Sequence, residues 1–244
     1  MIVYYVKYEL KVIPIRDTIP SRQFPVVNTI LIVINSLVFF YELSLGNSLD
    51  SFIKTYGLIP DYLGKHNAFF DQVYPFFTSM FLHGGWFHLI GNMLYLFIFG
   101  DNVEDRMGHF KYLFFYLFSG VAAAFSQILI NIHSTIPMVG ASGAISGVLG
   151  AYILYFPRSR ILTLFPIFLF IQFVEIPALL FLLIWFVMQF FSGVATLAVT
   201  NDTGGVAFWA HVGGFVAGFI LAKPFQKRGY YYDAGVFRTI SKRR

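Results

Sequence analysis

Long apolar runs separated by short polar stretches dominate the chain. A helix needs about 20 mostly apolar residues to cross a bilayer, and six runs approach or reach that length. They cover residues 26–40, 86–99, 112–130, 142–156, 176–198 and 205–222. The first follows Pro25, and the fourth is short for a span. A further apolar stretch, 161–174, is interrupted by Pro166. It reads as a loop in the membrane interface or as an early start to the fifth span. The pattern predicts an all-α integral membrane bundle of six helices.

Composition agrees with the pattern. Of the 244 residues, 57% are hydrophobic and 12% charged, against about one-quarter charged in an average soluble domain. With no cysteine, the chain is not a disulfide scaffold, and its apolar content excludes a disordered chain or a nucleic-acid-binding domain. Six spans use about 120 residues, which leaves room for loops and tails but not for a large soluble domain. The expected organisation is an N-terminal segment 1–25, a six-helix domain 26–222 and a basic tail 223–244. No removable signal peptide or transit segment is expected at the start, which suggests a prokaryotic cell (inner) membrane.

Charge then gives the bundle an orientation. Lys7, Lys11, Arg16 and Arg22 precede the first run, Arg106 and Lys111 follow the second, and Arg158 and Arg160 follow the fourth. Lys223, Lys227, Arg228, Arg238, Lys242, Arg243 and Arg244 follow the sixth. The opposite side has only Lys54 and Lys65. The positive-inside rule therefore places both termini in the cytoplasm. The tail interleaves Tyr230, Tyr231, Tyr232 and Phe237 with its basic residues, a pattern suited to anchoring on anionic membrane lipid.

Polar residues inside the runs are the candidates for chemistry, because burying them in a membrane is costly. The second run opens with His83-Gly84-Gly85-Trp86-Phe87-His88 and then Asn92. The fourth opens with Gly140-Ala141-Ser142-Gly143, and the sixth contains Ala210-His211-Val212-Gly213-Gly214. All three runs start on the non-cytoplasmic side, so Ser142, His88, Asn92 and His211 share the outer half of the bilayer, with His211 about 9 Å into its span. His88 and Asn92 lie one turn apart on one face. Gly143, Gly147 and Gly150 form a strip of small residues, as do Gly214 and Gly218 with His211, and such strips let helix backbones approach closely. Ser142 can thereby come within hydrogen-bond reach of His211.

A serine hydroxyl becomes a nucleophile when a neighbouring base takes its proton, and imidazole titrates in the right range. The backbone N–H of Ser142, with His88 and Asn92, offers donors for an oxyanion. No obvious carboxylate stands behind the histidine: Glu42 and Glu175 lie near span ends and Asp202 in the loop before the sixth run. The arrangement reads as a Ser-His dyad. There is no His-Glu-x-x-His motif, no thiol, no facing pair of intramembrane carboxylates and no phosphate loop, so no metal and no cofactor are expected.

The chain resembles the rhomboid family of intramembrane serine proteases. The resemblance runs through Ile15-Arg16-Asp17, Phe24-Pro25-Val26-Val27, Thr78-Ser79-Met80-Phe81-Leu82-His83-Gly84-Gly85-Trp86 and His88-Leu89-Ile90-Gly91-Asn92. It continues through Gly100-Asp101-Asn102-Val103-Glu104-Asp105-Arg106, Gly140-Ala141-Ser142-Gly143 and Ala210-His211-Val212-Gly213-Gly214, covering about residues 15–222. It implies the six-helix rhomboid fold, Ser142 as nucleophile, His211 as general base, and His88, Asn92 and the Ser142 backbone at the oxyanion hole. Gly140, Gly143, Gly147, Gly214 and Gly218 would pack the helices at the site. The implied substrates are single-pass transmembrane proteins, cut in or near the outer part of their span. The family's first loop, here about 45–75, would lie partly in the outer leaflet. Tyr74-Pro75 stands near where many relatives carry a Trp-Arg pair, and Ser146 where some place an aromatic ring against the histidine. The alternative reading is a catalytically silent rhomboid-like protein that binds transmembrane helices.

Overall fold

The computed structural model describes residues 13–65, 68–167, 170–197 and 206–227. Nine helices and three strands occur among them: β1 (Ile13–Asp17), α1 (Val26–Ser44), α2 (Leu49–Tyr56), α3 (Phe69–Val73), α4 (Pro75–Thr78), α5 (Trp86–Met107), α6 (His109–Ile130), α7 (Ser142–Tyr155), β2 (Arg160–Ile167), β3 (Phe170–Pro177), α8 (Ala178–Leu197) and α9 (Phe208–Phe225). Helices α1, α6, α8 and α9 are long and apolar enough to cross a membrane, and α7 is a shorter apolar helix.

Helix α5 outruns the apolar stretch 86–99 by eight residues, because its polar end finds partners. The buried Glu104 carboxylate accepts the backbone N–H groups of Val27 (2.9 Å) and Asn28 (2.7 Å). These belong to the first turn of α1, whose N–H groups have no partner within their own helix. A negative charge there also complements the helix dipole. Asn28 returns the tie, donating to the Leu96 carbonyl (3.0 Å) and accepting from the Tyr112 hydroxyl (2.8 Å). Gly108, at φ +81°, then turns the chain directly into α6, a conformation that glycine adopts without strain.

Helix α7 is the centre of the bundle. Its 14 residues rise about 21 Å, less than the roughly 30 Å of a hydrocarbon core. It needs no full span, because α5, α6 and α9 surround it, and from Ala144 to Ile153 every residue is buried. Close packing on α9 follows from the glycines. A Cβ on Gly214 would strike the Gly143 carbonyl, one on Gly218 the Gly147 carbonyl, and one on Gly150 the Phe215 carbonyl. On the other flank, Gly147 leaves room for Ser119 of α6.

The stretch 161–174 is neither an irregular loop nor an early part of α8. It forms most of an antiparallel hairpin, with β2 paired to β3 from Arg160↔Pro177 to Ile167↔Phe170, and β2 paired in turn to β1. The all-α expectation is corrected accordingly: a three-stranded sheet in the order β1-β2-β3 closes one end of the bundle. Residues such as Ile161, Thr163, Phe173, Val174 and Ile176 suit strands, whereas a short apolar run alone does not distinguish strand from helix. Asp17 locks the sheet to the helices, accepting hydrogen bonds from the Tyr152 hydroxyl (2.5 Å) and the Asn102 amide (2.9 Å). Burial pushes the Asp17 carboxyl up to about 7.

Arg16, Arg22, Arg106, Lys111, Arg158, Arg160, Lys223 and Lys227 lie at the sheet end, and Lys54 and Lys65 in the first loop at the other end. The remaining basic residues, and most of the tail 223–244, fall outside the described residues. The first loop is anchored without a Trp-Arg pair. The Tyr74 hydroxyl donates to the Thr55 carbonyl (2.9 Å) and the Thr78 hydroxyl to the Tyr56 carbonyl (2.6 Å). Leu58 bridges to Met138 in the loop before α7.

Candidate active site

Helices α5, α7 and α9 begin at the same end of the bundle, and their first turns meet. Ser142 is the first residue of α7, and its N–H therefore has no partner within the helix. His211 is the fourth residue of α9, which starts at Phe208. His211 is thus in the first turn of that helix, nearer its start than the run 205–222 suggests; Gly205 itself falls outside the described residues. The Ser142 hydroxyl and His211 Nε2 are 2.8 Å apart. His211 is 8% exposed.

His88 and Asn92 converge on the turn before Ser142. Gly140 there has φ +120°. A Cβ on it would lie 2.6 Å from His88 Nε2, so only glycine lets the His88 ring reach this backbone, and the Asn92 amide nitrogen stands 3.7 Å from the same point. His88 Nδ1 accepts the Gly84 N–H at 3.3 Å. That leaves Nε2 as the protonated nitrogen, a donor aimed at the turn. The Asn92 amide nitrogen is buried and without a hydrogen-bond partner. The site therefore presents an imidazole N–H, a side-chain amide and the Ser142 backbone N–H around one small volume.

The approach to α5 is held from outside the cluster. The buried Glu42 carboxylate of α1 accepts the His83 backbone N–H at 3.2 Å. The His83 ring packs edge-on against His88, with centroids 5.1 Å apart. Burial, with His88 nearby, lowers the His83 imidazole to about 4, so it is neutral at physiological pH. Of the other carboxylates considered from the sequence, Glu175 is exposed on β3 and Asp202 falls outside the described residues.

Two residues of the site escaped the sequence reading. Gln189 of α8 places its side-chain oxygen 2.7 Å from His211 Nδ1. Trp185, one turn earlier on the same helix, lies against the His211 ring at 6.0 Å between centroids and 33° between planes. It occupies the role left open by Ser146, whose hydroxyl instead donates back to the Ser142 carbonyl (2.6 Å). The signal was legible: Gln189 is a polar residue in the middle of the run 176–198, and Trp185 precedes it by four, the spacing of one helix face.

Comparison with known proteins places the chain in a family. The rhomboid domain model matches residues 71–228. The chain is 36% identical over 121 residues to rhomboid-like protein 11, chloroplastic, of Arabidopsis thaliana, covering 49% of this chain and 42% of the relative. It is 32% identical over 160 residues to rhomboid-like protein 1 of the same plant, covering 66% and 36%. It is 32% identical over 139 residues to the rhomboid protease AarA of Providencia stuartii, covering 51% and 49%. The chain thus spans less than half the length of each of these relatives. Plant proteins named for the chloroplast and the mitochondrion stand beside a bacterial one, so similarity does not support the prokaryotic membrane suggested by the sequence. Matched by the domain model over most of its length, this membrane-embedded chain belongs to the rhomboid family.

Proposed function

We propose that the protein is an intramembrane serine endopeptidase that cleaves single-pass transmembrane proteins in or near the outer part of their span. The observation that carries this reading is the 2.8 Å contact between Ser142 and His211 beside the donors of His88 and Asn92. The Ser142 hydroxyl donates to His211 Nε2, which takes the proton as Oγ attacks the scissile carbonyl. The carbonyl oxygen becomes an oxyanion, and the Ser142 N–H, the His88 Nε2–H and the Asn92 amide stabilise it. His211 then protonates the leaving amine. A water, deprotonated by the same imidazole, releases the acyl group and restores the serine.

In this reading α1, α5, α6, α7, α8 and α9 form a six-helix protease domain over 26–222. The sheet end and both flanking segments, 1–25 and 223–244, face the cytoplasm with the basic residues, and the tail contacts membrane lipid. The reaction uses no metal and no cofactor.

Reconstitution in liposomes with a model single-pass substrate tests the proposal. Ser142→Ala and His211→Ala should each lower turnover by about 10³-fold or more. Equal cleavage by Ser142→Ala and wild type would overturn the mechanism. A catalytically silent rhomboid-like protein that binds transmembrane helices without cutting them is the second reading. Failure of an alkyl fluorophosphonate to label Ser142 in the folded protein would support it.

A further inference from the structure

We propose that Gln189 is the positioning residue of His211, holding the imidazole in its basic tautomer from helix α8. The inference rests on the Ser-His reading above. His211 can accept the serine proton only if Nε2 is bare, and Nδ1 must then carry the hydrogen. In a buried site that N–H needs an acceptor, because an unpaired donor is costly. The Gln189 side-chain oxygen, 2.7 Å away, is that acceptor. With Nδ1–H committed to Gln189, Nε2 points at Ser142. Trp185 adds a face that restricts rotation of the ring.

Gln189 thus stands where a triad places a carboxylate, with one difference. A neutral amide fixes tautomer and orientation but gives little charge stabilisation to an imidazolium. No described acidic group compensates. His88 of α5 is the ionisable group facing His211, α7 contributes Ser142, and Gln127 of α6 is occupied with the Ala210 N–H. The acceptor is also carried by the least embedded of the long apolar helices, which buries only Ala178, Phe181, Leu182 and Gly193. Displacing α8 would therefore release the histidine while leaving the serine and oxyanion donors in place.

The rate of Ser142 labelling by an alkyl fluorophosphonate, measured from pH 5 to 9 on the full chain in liposomes, tests this. Turnover of the model substrate and melting temperature are followed in parallel. Gln189→Leu should slow labelling and lower kcat by about 10- to 100-fold, with KM little changed. Gln189→Glu should keep the orientation and move the acid limb of the pH profile upward by about one unit or more, because a carboxylate favours the imidazolium. Labelling by Gln189→Leu at the wild-type rate, or a Gln189→Glu profile identical to wild type, would overturn the inference. The 15N shifts of the His211 ring in the wild-type protein, assigned with His211→Ala, decide independently of whether the variants fold. A protonated Nδ1 and bare Nε2 are expected, and the opposite tautomer overturns the proposal. Wild-type protein that fails to label at all would instead sink the protease reading on which the inference stands.

Discussion

The two sides of the candidate dyad are held in different ways. Ser142 starts a helix packed backbone to backbone against α9 and enclosed by α5 and α6. The outer partner of His211 stands on α8, whose Leu179, Leu180, Leu183, Ile184, Val187 and Met188 are exposed. Glycine contacts leave no slack, since a methyl added at Gly150, Gly214 or Gly218 meets a carbonyl, whereas α8 touches its neighbours through a few side chains. One side is an interlocked scaffold, and the other is a helix that buries only Ala178, Phe181, Leu182 and Gly193.

Gly218→Val breaks the scaffold side most directly. A branched side chain pointing at the Gly147 carbonyl should cost about 1–3 kcal/mol or more, read as a loss of several degrees in melting temperature in detergent. An unchanged melting temperature would mean that α7 and α9 separate more easily than their geometry implies. Asn92→Ala tests chemistry on the same side without disturbing packing. It should lower kcat by about 10²–10³, with little change in melting temperature.

A third test compares the two ends of the molecule. In the folded protein Asp17 retains its proton up to about pH 7, against 3.8 for the unfolded residue. Its contribution to stability is full below pH 3.8 and is lost as pH rises through 7. His83 has the opposite sign. Its imidazole falls from 6.5 to about 4, so its contribution is present above pH 6.5 and is lost as pH falls through 4. Asp17→Asn should flatten the decline in melting temperature between pH 4 and 7, and a slope equal to wild type would show that Asp17 is ionised in the fold. The smallest effect is expected on α8, where Leu183→Ala on the exposed face should stay within about 0.5 kcal/mol. A larger loss would show that α8 is held more firmly than its packing suggests.

Helix starts and the main polar cluster were legible in the sequence, because a glycine before a helix and a polar group in an apolar run leave sharp local marks. Ser142, His211, His88 and Asn92 stand together in the structure for that reason. The hairpin 160–177 was not legible, since its pairing with β1 joins residues more than 140 positions apart and its apolar content fits a helix equally well. Nor was the end of α5, where Asp101, Asn102, Glu104 and Asp105 look like loop until their partners on other elements are seen. Gln189 was missed for a different reason. A triad carries a carboxylate behind its histidine, and behind His211 an amide holds that position.

The reach of Glu104 to the start of α1 has a consequence for biogenesis. The carboxylate lies 77 residues after the Val27 amide it receives. At about 5–20 residues per second, the ribosome needs roughly 4–15 s to make that stretch. Throughout that interval the leading turn of α1 lacks its acceptor, so its N–H groups must stay with water or headgroups at the membrane surface. Helix α1 thus gains the acceptor for its leading turn only after α5 has emerged.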